Sequence, residues 1–155
     1  MNESTVRVRP AVADDLPAVL ALYAQPDIDD GVVLPIGDAE RLFARFAAYP
    51  DYTLYVAEQE SAVVGTFALL VMDNLGHQGA PSAVVEDVMV APDRQRNGIG
   101  RAMMRFAIER ARARRCYKLL LSSNARREHA HAFYERLGFA RHGYSFRVDL
   151  DGAAR

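Results

Sequence analysis

Hydrophobic and polar positions follow two periods in the first part of this chain. Residues 5–9 alternate between apolar and polar side chains, as in a strand with one buried face. Residues 16–23 carry apolar side chains at the spacing of one helix face, and Asp14 or Asp15 is a candidate cap for that helix. A second helical pattern starts at Asp38. The chain is therefore predicted to begin with one strand and two helices.

The middle of the chain predicts a mixed sheet. Residues 52–58 and 63–72 predict two strands joined by a short turn. Residues 84–90 form a largely apolar run, and a helical stripe at 99–111 leads from it to another strand at 117–121. A strand, a helix and a strand in this order predict a parallel pair with a right-handed crossover.

The end of the chain predicts one more helix at residues 128–137, which Gly138 ends, and then a strand-like segment at 139–150. The whole order predicts an α/β fold with a mixed sheet. We expect a single domain over residues 1–150 and a short tail at 151–155, because no repeat or linker divides the sequence.

Composition narrows the class of protein. The chain has 155 residues, of which 50% are hydrophobic and 25% charged, as is ordinary for a globular domain. No run approaches the roughly eighteen consecutive apolar residues of a membrane span. The N-terminus lacks the basic and apolar regions of an export signal. A single cysteine, Cys116, cannot build a disulfide framework. These features predict a cytoplasmic protein that does not enter a membrane.

Charge is divided unevenly along the chain. Residues 1–93 carry fifteen acids against four arginines, a net charge of −11. Residues 94–155 carry fifteen basic residues against five acids, a net charge of +10. One half could meet an anion and the other a cation, or both halves could be solvated faces of one fold.

Gly98 and Gly100 lie where the apolar strand gives way to a helix. Amides at a helix N-terminus are unpaired and carry a positive partial charge, and glycine lets the backbone approach an oxygen closely. Met103 stands where a dinucleotide-binding motif needs its third glycine, and Lys118, the single lysine, is far from a P-loop position. The loop therefore predicts either phosphate binding of another kind or a plain turn between the strand and the helix.

Three motifs in order resemble the GNAT acyltransferase superfamily. The first is the loop Gln95-x-x-Gly98-x-Gly100, the second is the run 86–92, which is similar to the family's central strand, and the third is the run 130–139, which is similar to its last helix. The resemblance implies a GNAT fold, with a mixed, mostly antiparallel central sheet, a splayed parallel strand pair and about four flanking helices. It also implies an acyltransferase whose acyl donor is acetyl-CoA.

The resemblance assigns residues to the donor. In the family, the loop amides hold the pyrophosphate of coenzyme A, and amides at a bulge in the central strand lie near the thioester carbonyl. The bulge is expected around Met89 and Val90. The donor-binding residues implied here are Val88, Met89, Val90, Gln95, Arg96, Asn97, Gly98, Gly100, Arg101 and Asn124. The arginines at 110, 112, 114 and 115 are expected to form a solvated helix surface.

One departure from the family pattern concerns the loop before the last helix. The family often has an asparagine seven residues ahead of its tyrosine, where Arg127 stands here, and Asn124 lies ten residues ahead of Tyr134. Either Asn124 reaches the donor from a longer loop or Arg127 replaces it with a charged contact.

The resemblance also implies a catalytic pair. Tyr134 matches the tyrosine that donates a proton to the departing thiolate, although it could also be a buried tyrosine that only packs. Glu86 is the candidate base, acting through a water, or a structural carboxylate. Strand alternation predicts that Glu86 and Asp87 point to opposite faces unless the bulge intervenes, so that only one of them meets the substrate.

The acidic loop that contains Asp27, Asp29 and Asp30 favours a cationic acceptor amine, or it is simply solvated. Three further side chains are expected, on topology alone, to line the acceptor pocket: His77, Tyr144 and Phe146. No metal site is expected, because His129 and His131 face different directions on one helix.

The sequence thus favours an N-acetyltransferase that moves an acetyl group from acetyl-CoA to a primary amine of a small molecule, or of a peptide, by direct attack in a ternary complex. A non-catalytic acyl-CoA sensor on the same fold is an alternative. A nucleic-acid-binding module is disfavoured, because the arginine face at 94–115 carries no aromatic side chains for stacking. A homodimer through the last strands is compatible with the pattern.

Overall fold

The computed structural model describes residues 5–150 of the chain. Residues up to Leu121 form one compact unit, and residues from Ser122 onward form a second. The strands are β1 (Arg7–Pro10), β2 (Tyr52–Gln59), β3 (Ala62–Met72), β4 (Ser82–Val90) and β5 (Lys118–Leu121), and the helices are α1 (Leu16–Tyr23), α2 (Ile36–Phe46), α3 (Ile99–Ala113) and α4 (Glu128–Arg136).

The first unit is built on a five-stranded sheet in the order β1-β2-β3-β4-β5. The first four strands are antiparallel neighbours, and β4 and β5 are parallel. The parallel ladder joins Ser82–Val85 to Lys118–Leu121, so it ends midway along β4. The predicted mixed sheet, its parallel pair and the connecting helix α3 are confirmed.

Successive side chains of each strand point to opposite faces of the sheet, and helices cover both faces. Helices α1 and α2 cover the first face, over a core made of Leu16, Val19, Ala39, Leu54, Val56 and Ala68. Helix α3 covers the other face, where the ring of Phe106 lies 5.0 Å from that of Tyr55. Tyr55 in turn stacks on Phe67 at 5.2 Å. None of the helices in the described part of the chain has both the length and the apolar character needed to cross a bilayer.

The start of α1 differs from the prediction. A single 3-10 turn at Ala13–Asp15 precedes the helix, and the carboxylate of Asp15 makes no capping bond to it. The carboxylate instead accepts hydrogen bonds from the Val12 amide at 2.8 Å and from Arg9 at 2.7 and 2.9 Å. Asp15 therefore occupies the N-cap position of α1, as predicted, but its carboxylate makes no capping bond there, because the guanidinium on β1 offers it stronger, charge-assisted bonds.

The segment 139–150 forms no regular secondary structure, so the strand predicted there is wrong. Tyr144 and Phe146 are 91% and 93% exposed, and Val148 and Leu150 are exposed as well. Alternating apolar side chains favour an extended chain, but a strand also needs a neighbouring backbone to pair with its N–H and C=O groups. The alternation alone did not provide that neighbour.

Candidate active site

Strand β4 contains a bulge in the middle of the sheet. Thr66 pairs with Met89 and Ala68 pairs with Glu86, so that Asp87 and Val88 together oppose the single residue Phe67. Asp87 adopts a left-handed backbone with a φ of 52°. This is the conformation that glycine usually takes in one class of β-bulge. The bulge inserts one extra residue into the strand at Asp87.

The bulge lies earlier than the sequence suggested. Met89 and Val90, where it was expected, pair regularly with Thr66 and Gly65. The left-handed conformation is tolerated by aspartate, whose short polar side chain can hydrogen-bond locally, but strongly disfavoured by a β-branched valine. Asp87 is therefore the residue in this strand best suited to start a bulge.

The bulge brings two carboxylates to the same face of the sheet. Glu86 lies opposite Ala68, which belongs to the core under α1 and α2. Both Glu86 and Asp87 interact electrostatically with Tyr52, whose side chain packs on that core. The alternation that would have separated the two carboxylates is interrupted, so both face α1 and α2.

The electrostatics of this pair suit a proton acceptor. Glu86 and Asp87 are both exposed, but the loss of part of the solvent around Glu86, followed by the charge of Asp87, raises the pKa of Glu86. The same loss of solvent around Asp87, followed by the charge of Asp29, raises the pKa of Asp87. Burial beside Asp87 also raises the pKa of Tyr23 well above its ordinary value. A carboxylate with a raised pKa is a stronger base than one in water.

Beyond the bulge, β4 has an open edge. Its parallel partner ends at the pair Val85 and Leu121, so within residues 5–150, which the structure describes, residues 86–90 pair with a strand on the β3 side only. The amide of Ala91 donates to Val64 of β3 at 2.8 Å. Because N–H groups alternate along a strand, the amide of Val90 points away from β3, toward the open edge. An amide in that position can donate to a ligand.

The chain then passes into the glycine loop. Arg96 and Gly98 both have left-handed backbones, with φ values of 67° and 79°. Helix α3 starts at Ile99, and its first intrahelical bond runs from the Ala102 amide to the Gly98 carbonyl at 2.9 Å. The amides of the preceding turn, Ile99 to Arg101, therefore have no partner within the helix.

This loop fits an anion such as the pyrophosphate of coenzyme A. No side chain caps α3, no acid lies in its first turn, and a Cβ on Gly98 would meet open space. The N-terminus of this helix of 15 residues carries a positive partial charge. The predicted loop residues Gln95, Arg96, Asn97 and Arg101 are exposed, and Gly100 is half-buried within the first helical turn.

The loop is tied to the β2–β3 hairpin by an arginine that the sequence analysis did not assign. Arg94 donates to Gln59 at 3.4 Å and lies 3.8 Å from Glu60.

At the other end of α3, Arg114 makes a bidentate pair with Asp51, with one bond of 2.6 Å. Arg114 is exposed, as expected for the solvated helix surface, and its pairing with Asp51 is a contact that the sequence did not predict.

The second unit carries the candidate acid Tyr134. Its ring lies 5.1 Å from Phe133 and 5.7 Å from Phe139, both in edge-on contact. Burial raises the pKa of Tyr134, and the positive charge of Arg127 partly opposes this effect. The phenol therefore stays protonated at neutral pH.

Asn124 organises the turn before α4. Its side-chain oxygen accepts a hydrogen bond from the Arg126 amide at 2.9 Å. Its carbonyl accepts from the Arg127 amide at 3.0 Å and lies 2.9 Å from the ring nitrogen of His131. Asn124 is itself exposed, and the role foreseen for it in donor binding remains a prediction.

The predicted acceptor residues are distributed over the molecule. Asp29 contributes to the electrostatics of Asp87 and lies in the loop that follows α1. His77 lies in the loop before β4 and stacks on Tyr117 at 4.0 Å. It is thus at the start of β4, four residues or more from Glu86 along a strand that rises about 3.4 Å per residue. Its expected place in the acceptor pocket stays a prediction.

Three residues near the carboxylate pair were not assigned from the sequence. The sequence pattern of Tyr23 and Tyr52 is typical of core residues, and an aromatic side chain alone does not indicate a functional site. Gln25 stands at the end of α1, and its side-chain amide donates to the carbonyls of Leu22 at 3.0 Å and Val90 at 3.2 Å. Only the folded chain brings the two tyrosines to the carboxylates and Gln25 to Val90.

Known proteins resemble this chain in sequence and fold. The sequence model of the group described as "Acetyltransferase (GNAT) family" matches residues 19–139. The Glucosamine 6-phosphate N-acetyltransferase of Trypanosoma brucei brucei is 34% identical over 88 residues, which are 57% of this chain and 58% of that protein. The 5-NmdU N-acetyltransferase of Pseudomonas phage PaMx11 is 32% identical over 104 residues, which are 67% of this chain and 69% of that protein.

A solved structure from Agrobacterium tumefaciens strain C58, assigned as an acetyltransferase, superposes with a TM-score of 0.86 at 34% identity. The superposition covers 93% of this chain and 99% of that one. The alignment with the trypanosomal relative, in contrast, spans little more than half of that protein's length. Since the family model covers most of this chain and the fold agrees over nearly all of it, the chain belongs to the GNAT family of acetyltransferases.

Proposed function

We propose that this protein is an N-acetyltransferase that transfers the acetyl group of acetyl-CoA to a primary amine of a small molecule. The observation that carries the proposal is the geometry of β4. One strand combines two carboxylates of raised pKa, an open edge with an outward amide, and a direct passage into an anion-binding helix N-terminus. Together these features provide a proton acceptor, a donor to the carbonyl oxygen and an anion site, which suit an acyl transfer from a phosphorylated thioester.

The donor site is assigned to the open edge and the glycine loop. We assign the donor to the backbone of Val88, Met89 and Val90, the loop residues Gln95, Arg96, Asn97, Gly98, Gly100 and Arg101, and Asn124 of the second unit. The outward amide of Val90 can donate to the thioester carbonyl, where negative charge develops as the amine attacks. The unpaired amides at the start of α3 can hold the pyrophosphate.

The chemical step is a direct transfer. The amine nitrogen forms a bond to the carbonyl carbon of the thioester, the carbon–sulfur bond breaks, and coenzyme A leaves as the thiol. Glu86 or Asp87 first accepts a proton from the ammonium, directly or through a water, since an alkylamine is mostly protonated at neutral pH and only the neutral amine can attack. Tyr134 supplies the proton of the departing sulfur. The nitrogen loses a second proton as the amide forms, and this proton restores the phenol of Tyr134 after it has protonated the sulfur.

The acceptor is proposed to be a cationic amine. Glu86 and Asp87 share one face of β4, and Asp29 adds a third negative charge next to Asp87. Such a group of charges raises the local concentration of cations. The names of two relatives, for glucosamine 6-phosphate and for 5-NmdU, suggest polar acceptors of small size.

Two further features complete the proposal. We propose that the protein acts in the cytoplasm and that a homodimer forms through the C-terminal segment, where four apolar side chains are exposed. Analytical ultracentrifugation of the full chain, compared with a Phe146→Ser variant, tests the dimer. A monomer at micromolar concentration in both samples would contradict it.

A turnover assay tests the function. The full chain is incubated with acetyl-CoA and with spermidine, glucosamine 6-phosphate or a lysine-containing peptide, and both free thiol and N-acetyl product are measured. We expect turnover of at least one amine, a loss of roughly 10²-fold or more in the Glu86→Gln/Asp87→Asn variant, and a smaller loss in Tyr134→Phe. Glu109→Gln, an exposed acid on α3, is the matched control.

The alternative functions give different results in the same assay. Binding of acetyl-CoA without turnover of any amine would support the acyl-CoA sensor. Binding of a DNA duplex with a steep dependence on salt, and no binding of acetyl-CoA, would support the nucleic-acid module.

A further inference from the structure

Gln25 connects the acceptor side of the candidate site to the donor side. Its side-chain amide donates both hydrogens to carbonyls, one to Leu22 in the last turn of α1 and one to Val90 at the end of β4. The side-chain nitrogen must face these carbonyls, because a carbonyl can only accept. Gln25 is half-buried, so both bonds are partly shielded from water.

The bond to Val90 lies at the open edge of β4. The carbonyl and the amide of one residue point to the same side of a strand, so the carbonyl of Val90 also points away from β3. In the part of the chain that the structure describes, this is the edge beyond the last residue of β5. Gln25 therefore holds the very residue whose amide is available to the thioester.

The backbone of Gln25 also anchors the loop that carries Asp29. Its carbonyl accepts from the amides of Ile28 at 3.2 Å and Asp30 at 3.3 Å. The amide of Asp29 donates to the carbonyl of Tyr23 at 3.0 Å, so the loop folds back on the end of α1. The side chain of Gln25 then fixes this whole assembly against β4.

We propose, on the basis of the function proposed above, that Gln25 is a positioning residue that sets the distance between the acceptor loop at Asp29 and the edge of β4 at Val90. It contacts neither the amine nor the acetyl group. Its loss lets the end of α1 and the acceptor loop move away from the bulge, so the amine is held less well in front of the thioester. Donor affinity is expected to stay unchanged, because the pyrophosphate is assigned to the amides at the start of α3, whereas Gln25 bonds to the strand residue assigned to the acetyl end of the donor.

The test compares Gln25→Met with the wild type. Methionine has a similar length but no donor, and Gln78→Met, at an exposed glutamine before β4, is the matched control. We expect kcat/KM for the amine to fall roughly ten- to a hundredfold, since a small misplacement of reacting groups is costly. The Kd of acetyl-CoA, measured by calorimetry, and the Gln78→Met kinetics should match the wild type.

A double-mutant cycle separates positioning from general loosening. If Gln25 acts by placing Asp29, the loss caused by Gln25→Met should shrink in an Asp29→Asn background. Hydrogen exchange should show faster exchange of the Asp29 and Gly31 amides in Gln25→Met, with the core of β3 unchanged. Independent, multiplicative losses or wild-type kinetics in Gln25→Met would overturn this inference alone. A wild type that binds no acetyl-CoA, or turns over no amine, would overturn the proposed function and this inference with it.

Discussion

A methyl group on Gly65 would lie only 2.9 Å from the sulfur of Met103 and 3.1 Å from Cγ2 of Ile99. Gly65 pairs with Val90 in the sheet, so this contact brings the start of α3 directly over the end of β4. Met103 and Ile99 are 0% and 1% exposed, so both side chains are fully buried where they approach Gly65. The absent side chain at Gly65 thus sets how closely the glycine loop approaches the open edge of β4.

Gly65→Ala should therefore destabilise the protein. Overpacking a closed core typically costs about 1–3 kcal/mol. Met103→Ala, which opens a cavity, should cost about 2–5 kcal/mol by itself. In the double variant the added methyl group finds room, so the loss should be smaller than the sum of the two. Urea denaturation of the four proteins gives this coupling, and additivity within about 0.5 kcal/mol would show that the contact is unimportant.

Gly98→Ala separates the cost of a strained backbone from the loss of donor binding. Gly98 has a φ of 79° and open space where a Cβ would lie, so the substitution strains the backbone without a clash. An L-residue with a left-handed backbone costs about 1–2 kcal/mol. A relaxed loop would turn its amides away from the pyrophosphate. We expect the Kd of acetyl-CoA to rise about tenfold, which corresponds to about 1.4 kcal/mol, as measured by calorimetry.

Gly138→Ala is the control for this prediction. Gly138 also has a left-handed backbone, with a φ of 95°, and also has open space around it. It ends α4 in the second unit and was not assigned to the donor. Both alanine variants should lose similar stability, but only Gly98→Ala should weaken acetyl-CoA. Equal effects of both on acetyl-CoA binding would remove the glycine loop from the donor site.

Much of the fold follows from patterns along the sequence, whereas the bulge does not. The spacing of apolar residues gave β2, β3 and α3 within a few residues, and the strand-helix-strand order gave the parallel pair. These patterns work because burial of one face sets the period. A bulge instead depends on the register between two strands, and nothing near Asp87 in the sequence reveals which residue of β3 lies opposite.

In the C-terminal segment, the sequence pattern predicted a strand that the fold does not form. Residues 144, 146, 148 and 150 alternate as regularly as those of β2, but they remain exposed. A period of two describes the side chains and says nothing about the backbone partner that a strand requires. The side chain of Gln25 illustrates the same limit at the site, since its partner Val90 is 65 residues away in the chain.

The pH dependence of turnover should identify the base. A base acts in its ionised form, so kcat/KM falls as the pH drops through its pKa. The raised pKa of either carboxylate places this fall at a higher pH than for an ordinary Asp or Glu, whose pKa values are about 4. The ionisation of the amine is common to all variants. Differences between the pH profiles of variants therefore report the pKa values of groups in the protein.

Two substitutions distinguish Asp87 from Glu86 in this profile. The charge of Asp29 raises the pKa of Asp87, so Asp29→Asn should shift the acid limb to lower pH if Asp87 is the base. The charge of Asp87 raises the pKa of Glu86, so Asp87→Asn should shift the limb to lower pH, and retain activity, if Glu86 is the base. A limb that neither substitution moves would mean that neither carboxylate accepts the proton.

The ion pairs of Arg9 should contribute stability that acid removes. Arg9 contacts Asp15 at 2.7 Å and Glu58 at 3.0 Å, and the Asp15 side chain is only 8% exposed. The hydrogen bonds from Arg9 hold the pKa of Asp15 below its ordinary value, although burial opposes them. We expect Asp15→Asn to lower the free energy of unfolding by about 1–3 kcal/mol at neutral pH, because it weakens hydrogen bonds to a charged group.

The pH dependence of this loss has a definite sign. When the folded pKa of a carboxyl is below its unfolded value, the stability it contributes is fully present above the unfolded pKa, about 3.9 for Asp, and is lost as the pH falls through the folded pKa. The difference between the wild type and Asp15→Asn should therefore be constant near neutrality and shrink below about pH 4.

Asp38→Asn is the matched control. Asp38 pairs with Arg41 one helical turn away, with both side chains well exposed, and such pairs contribute less than about 0.5 kcal/mol. Urea denaturation at a series of pH values measures both variants. A loss for Asp15→Asn that does not decline in acid would mean that shape and burial at this position, and not the charge of the carboxylate, hold β1 against the start of α1.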